Sequence, residues 1–246
     1  MTDVLRWPRR EAAGPVAVLA HRGGTGPWRE NTLEAFTGAL AAGADGVELD
    51  VRQTADGRLV VHHDAEIDGF GALSALRARD LPAFVPGLDQ ALAACAGATV
   101  NVEVKNSPVE TGFEPPAAVA GAVEAAITAA DVGRGGPSRV LVSSFWPANL
   151  EAFRAAGSTI PLGLLVHPSL DAAEAAERAD RLGCAALHPF GAQVDARLVA
   201  AVHDRDMAVV AWTVNDPADV ATLASLGVDV VISDAVAATR RALGRL

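Results

Sequence analysis

The chain has 246 residues, a formal net charge of −10, half of its residues hydrophobic and no tyrosine. That length and apolar content suffice for one sizeable core, and an acidic balance without a basic patch argues against nucleic acid as a partner, although a local group of cations can still hold a small anionic substrate. Two cysteines, Cys95 and Cys184, lack paired or His-rich spacing; they exclude a disulfide framework or zinc module and read as small core residues.

Arg6, Arg9, Arg10 and Glu11 precede the first apolar run, residues 16–20. That run is too short for a signal-peptide core, and no apolar run approaches the ~18 residues of a membrane span. A soluble, cytoplasmic protein with no stable membrane association is expected. Short Val/Ala/Leu runs then alternate with Ala-rich amphipathic stretches. Strand 15–20 is followed by helix 32–42, strand 46–52 by helix 88–95, strand 99–104 by helix 115–130, and strand 139–143 by helix 147–156. Strand 161–166 is followed by helix 171–182, strand 185–188 by helix 195–205, strand 208–212 by helix 217–226, and strand 229–233 by helix 236–243. Asp171, Asp195 and Asp216 stand at N-cap positions, Pro147 and Pro217 in first turns, and Gly43, Gly157, Gly183 and Gly227 where helices should stop. Residues 64–86 lack periodicity and read as a loop with a short helix near 73–77.

Strand–helix alternation implies parallel pairing through crossover helices. Eight such units predict an α/β fold, a single-domain (β/α)8 TIM barrel with its core over about residues 15–246. An open doubly wound sheet is the competing architecture. It would normally carry a G-x-G-x-x-G loop, and the run from His21 to Gly26 leads with His and Arg instead.

Barrel active sites gather at the C-terminal ends of the strands. The first strand ends in His21-Arg22: an imidazole for acid–base work and a planar fork for an anionic oxygen. In the second, alternation puts Glu48 and Asp50 on one face and Val47, Leu49 and Val51 on the other. Two confined carboxylates repel unless a cation lies between them, and hard Mg²⁺ or Ca²⁺ takes such oxygens. The turn Asp56-Gly57-Arg58 leads into a hairpin return ending in His62-His63; only one of the two can face the mouth. In the third strand Asn101, Glu103 and Lys105 share a face. Lys105 is the sole lysine of the chain; an ammonium there suits a phosphate, or a structural pair with Glu103. Trp212 at a strand end walls a pocket or packs in the core. Glu30-Asn31-Thr32 belong to the site or cap the first helix.

These pieces, taken in order, resemble the glycerophosphodiester phosphodiesterase family. They are His21-Arg22-Gly23, the run from Glu30 to Phe36, the run from Gly43 to Val51, Asp56-Gly57, His63-Asp64, Asn101 to Lys105, Trp212 to Asn215, and Gly227-Val228-Asp229 through Ser233-Asp234. The likeness spans nearly the whole chain. It implies a (β/α)8 barrel, Glu48, Asp50 and Glu103 as ligands of a divalent cation (Mg²⁺ or Ca²⁺), and His21 and His63 as the acid–base pair. It also implies Arg22 and Lys105 on phosphate oxygens, Trp212 bordering the pocket, and a small glycerophosphodiester as substrate. Attack by the glycerol hydroxyl on phosphorus, followed by opening of a cyclic phosphate, is the implied course. Ser143-Ser144-Phe145 is near the family's Ser-Phe pattern. One segment departs: after His63-Asp64 the family's Leu-x-Arg-Thr-Thr-like run and longer insertion are replaced by Ala65 to Phe70, which alters the alcohol side. Two other functions compete: a lipid phosphodiesterase of the phospholipase D-toxin type, which needs an apolar rim that is not visible as an aromatic cluster in the sequence, and a non-catalytic phosphate-binding barrel, which needs no paired histidines.

Overall fold

Strands rich in Val and Leu must be covered on both faces, and a closed parallel barrel ringed by helices does this. The computed structural model adopts that arrangement; it describes residues 14–24, 26–134 and 139–245. Arg6, Arg9, Arg10, Glu11 and Thr25 lie outside the described residues.

The chain runs β1 (Ala17–Ala20), α1 (Leu33–Ala41), β2 (Gly46–Gln53), β3 (Leu59–Val61), β4 (Glu66–Ile67), β5 (Gly71–Ala72), α2 (Leu88–Ala94), β6 (Thr99–Val104), α3 (Pro116–Arg134) and β7 (Arg139–Ser144). It continues α4 (Pro147–Ala155), β8 (Leu162–Leu165), α5 (Ala172–Arg181), β9 (Ala186–His188), α6 (Ala196–His203), β10 (Ala208–Ala211), α7 (Pro217–Leu226), β11 (Val230–Ser233) and α8 (Val236–Ala242). In the order β1-β11-β10-β9-β8-β7-β6-β2, eight parallel strands are neighbours, and a β1–β2 pairing closes the ring. The expected barrel is therefore formed.

β2 changes partner along its length. Gly46 and Val47 pair with β1, whereas Val51, Arg52 and Gln53 pair antiparallel with β3. The expected hairpin return is this β3, and it brings His62 beside Asp50, to whose carbonyl oxygen His62 N donates at 3.0 Å.

Alternation sorts the side chains. Val47, Leu49, Val51, Val100, Val102 and Val104 pack outward into one core with helix residues such as Phe36, Leu92, Leu150 and Phe153. Leu19, Leu141, Ala186, Ala208, Val210, Val230 and Ile232 fill the barrel interior as a second cluster. Cys95 and Cys184 are buried, as expected of core residues. The caps stand as read: Asp171, Asp195 and Asp216 each accept a backbone N–H at their helix starts.

Residues 64–86 differ from the expected loop with one helical turn. The two-residue strands β4 and β5 form an antiparallel hairpin, and 3₁₀ turns follow at Leu73–Ala75 and Ala78–Asp80. Val60, Ile67 and Leu73 form a small satellite core under it. Strands of two residues are too short to leave a period in the sequence.

The first strand-to-helix turn is tight. Gly23 has φ +88°, and a Cβ there would lie 2.6 Å from the Cβ of Ala35 in α1. Gly23→Ala is expected to cost roughly 1–3 kcal/mol through overpacking, more if the backbone strain adds, and a thermal melt against the parent checks it.

Candidate active site

Continuing each inward alternation one step past its strand brings polar groups to a single mouth: His21 after Leu19, Lys105 after Glu103, Trp212 after Val210 and Asp234 after Ile232. Below them on β2 and β6 lie Glu48, Asp50 and Glu103, all buried, with oxygens within 4.8 Å of one another.

Asp50 is the best partnered of the three. It accepts a hydrogen bond from Asn31 Nδ2 at 2.8 Å, and Arg22 Nε and Lys105 Nζ stand 3.3 and 3.6 Å away as ion-pair partners without hydrogen-bond alignment. Burial works against its charge, but Lys105, Arg22 and His63 outweigh it, and its pKa lies below the usual carboxylate value. Glu103 accepts from Lys105 Nζ at 2.9 Å; burial, with Asp50 beside it, nevertheless holds it above its usual value. Among the described residues, Glu48 accepts only the backbone N–H of Arg22, at 3.0 Å through Oε2, and its buried Oε1 has no partner. Burial and the charge of Asp50 push Glu48 up to about 8. An all-oxygen donor set with one orphaned carboxylate oxygen fits a hard divalent cation.

The backbone around this trio is held in uncommon conformations. Arg22 and Asn31 have φ of +52° and +57°. The Arg22 turn aims its N–H at Glu48, and Arg22 O accepts from Asn31 N at 2.8 Å. Non-glycine residues at positive φ persist where surroundings over-determine them. Of the Glu30-Asn31-Thr32 run, Thr32 caps α1 through its hydroxyl, Asn31 belongs to the site, and Glu30 pairs with Arg22 at 3.1 Å.

Each histidine of the mouth has its own carboxylate. His21 Nδ1 lies 2.7 Å from Asp234 Oδ1, and Asp234 Oδ2 accepts from Asn215 Nδ2 at 2.7 Å. His63 Nδ1 lies 2.7 Å from Asp64 Oδ1. The two rings feel different fields. Burial opposes the His21 imidazolium, but the Asp234 hydrogen bond and the charge of Glu48 outweigh it and raise its pKa. Burial lowers His63, and Lys105 and Arg22 add to that, against the opposing pull of Asp50 and Asp64. His62 turns its Nδ1 to the Asp64 carbonyl oxygen at 2.9 Å. Lys105 Nζ also stands 5.9 Å from the centroid of the Phe145 ring. Trp212 is edge-on to Phe145 and Phe190 and donates Nε1–H to His188 O at 2.7 Å, so it is both a wall and a packing residue.

Asp234 and Asn215 were given no role by their residue types, whereas Asn31 had been open between site and helix cap. The usable signal for Asp234 was its parity with Ile232. The structure also corrects the expected lack of exposed aromatics. Trp28, Phe70, Val109, Phe113, Phe145, Trp146 and Leu170 are the exposed large apolar side chains among the described residues, and every one lies between a barrel strand and the next helix, on the mouth side.

The family model of glycerophosphoryl diester phosphodiesterases matches residues 21–238. The chain belongs to this family. It is an enzyme, a phosphoric diester hydrolase. A glycerophosphodiester phosphodiesterase of Bacillus altitudinis is 30% identical over 241 residues, covering 88% of this chain and 94% of the relative. The barrel superposes on a putative glycerophosphoryl diester phosphodiesterase of Silicibacter pomeroyi with TM-score 0.81 at 27% identity, covering 97% of this chain and 96% of the other. It superposes equally, TM-score 0.81 at 25% identity, on an Oleispira antarctica phosphodiesterase in complex with the product sn-glycerol-3-phosphate, covering 94% and 97% of the two chains. No helix among the described residues is long and apolar enough to cross a membrane.

The two fields predict a histidine NMR titration. His21 should titrate above and His63 below the free imidazole value near 6.5. Asp234→Asn should bring His21 down and leave His63 in place; His63 titrating above His21 would contradict the two environments.

Proposed function

We propose that the enzyme hydrolyses glycerophosphodiesters to glycerol phosphate and an alcohol, with His21 and His63 as acid and base and a divalent cation held by Glu48, Asp50 and Glu103. The observation that carries this reading is the convergence, in one barrel mouth, of two carboxylate-backed imidazoles on a buried carboxylate trio. One domain, with its core over about residues 15–246, carries the whole reaction.

The environments divide the roles. His63, with its pKa lowered, is neutral near pH 7 and accepts the proton of the attacking glycerol hydroxyl. His21, with its pKa raised by Asp234, gives a proton to the leaving alcohol oxygen as the bond to phosphorus breaks. Water then opens the cyclic phosphate with the roles exchanged: His21 takes the water's proton and His63 returns its own to the glycerol oxygen. Both residues end as they began. Asp64 and Asp234 fix the ring tautomers through the Nδ1 contacts, which leaves each Nε2 for the substrate. Lys105 and Arg22 bind the non-bridging oxygens, and Trp212 borders the glycerol. Mg²⁺ or Ca²⁺ bound to the trio would supply charge stabilisation for the phosphoryl oxygens and acidify a nearby hydroxyl.

The exposed apolar side chains around the mouth favour a second reading of substrate range, in which the alcohol carries an acyl chain. A panel of water-soluble diesters against single-chain lipid diesters separates the two. A non-catalytic phosphate-binding barrel is disfavoured, because binding alone has no use for two carboxylate-backed imidazoles.

Two measurements test the proposal. Exhaustive chelation should abolish release of glycerol phosphate, and Mg²⁺ or Ca²⁺ should restore it; full activity in the chelated protein would remove the trio from the mechanism. His63→Ala should lower turnover by roughly 10²–10⁴-fold, while His62→Ala stays within a few-fold of the parent. The reverse order in folded proteins would overturn the assignment of His63.

A further inference from the structure

Two of the proposed catalytic and binding residues lie just beyond regular structure. β3 ends at Val61 and β6 at Val104, so His63 and Lys105 follow the last residues of their strands. The backbone of β2 holds the amide just ahead of His63 and the amide of Lys105: His62 N donates to Asp50 O at 3.0 Å and Lys105 N to Val51 O at 3.1 Å. Their carbonyl sides need another anchor.

One side chain of the same strand supplies it. Arg52 shares the parity of Glu48 and Asp50 on β2, yet it does not join the carboxylate trio. Its Nε donates to His63 O at 2.7 Å and its Nη1 to Lys105 O at 3.4 Å. Glu110, in the segment between β6 and α3, takes the remaining donors, at 3.2 Å from Nη1 and 3.3 Å from Nη2. Arg52 is 8% exposed. A buried cation needs such a partner, and only a planar guanidinium offers donors in several fixed directions at once.

We infer that Arg52, backed by Glu110, is a positioning residue: it sets the spacing between the His63 imidazole and the Lys105 ammonium by holding both backbone carbonyls from β2. This rests on the catalytic and binding roles proposed above for His63 and Lys105. Misplacement of a reacting group by about 1 Å can cost on the order of 10²-fold in rate, so the effect belongs in turnover rather than in substrate affinity.

The test compares Arg52→Met, Arg52→Lys and Glu110→Ala with the parent, using the metal-loaded enzyme and a soluble glycerophosphodiester. Arg52→Met should lose roughly 10–100-fold in kcat with KM changed by less than about three-fold. Arg52→Lys should recover little of it, because one ammonium cannot span both carbonyls. Glu110→Ala, at an exposed position, should fold normally and lose several-fold in kcat. It keeps the inference testable if the Arg52 variants fail to fold. The readout independent of activity is the His63 ring signal in NMR, which should broaden or shift in Arg52→Met while that of His203, at the opposite end of the barrel, stays in place. A kcat within three-fold of the parent in Arg52→Met or Glu110→Ala, or full recovery with Arg52→Lys, would overturn the inference, as would an unmoved His63 signal. An inactive parent with the His63 signal still moved by Arg52→Met would instead count against the proposed function and leave the positioning intact.

Discussion

Three buried carboxylates, Glu48, Asp50 and Glu103, converge to within 4.8 Å at the mouth of the barrel, and the surrounding structure is arranged to make that crowding tolerable. Like charges at such range in a site shielded from water repel strongly. Lys105 and Arg22 relieve Asp50, whose pKa falls; Glu48 and Glu103 are left with theirs raised. The protein therefore has a deficit of positive charge at one point, and that point lies among the groups suited to phosphoryl transfer.

The fold bears the cost of assembling this point in its backbone. Arg22 and Asn31 sit at positive φ, and Gly23 permits an approach to α1 that no side chain could share. β2 is the central member: it carries two of the carboxylates, pairs with β1 below and β3 above, and holds the amides leading to His63 and Lys105. The two histidines then differ because their surroundings differ. His21 sees Asp234 and Glu48, whereas His63 sees Lys105 and Arg22 together with Asp50. The same residue type is thus given opposite protonation tendencies, as the proposed acid and base roles require.

Most of the barrel was legible in the sequence, because period-two valines and leucines, aspartate caps and glycine stops are local signals. Alternation along two strands likewise fixed that Glu48 shares a face with Asp50 and Glu103 with Lys105; joining the three carboxylates into one trio came from the family resemblance. What was not legible is contact between distant segments. Asp234 reaches His21 across 213 residues and Arg52 reaches Glu110 across 58, and no local pattern encodes either. The choice between His62 and His63 needed the family pattern, since both lie on a return too short to show its register. The hairpin of β4 and β5 was missed because two-residue strands carry no period, and the exposed aromatics were missed because their loops, not their spacing, bring them to the mouth.

The most direct test of the charge deficit is thermal melting of the chelated protein and of Glu48→Gln, each with and without Mg²⁺ or Ca²⁺. Removing one crowded carboxylate should make the metal-free variant melt higher than the metal-free parent, by several degrees at about 2–4 °C per kcal/mol for a domain of this size. The cation should raise the parent's melting temperature and raise that of the variant far less. A metal-free variant that melts below the parent, together with a parent that the cation leaves unchanged, would contradict the account.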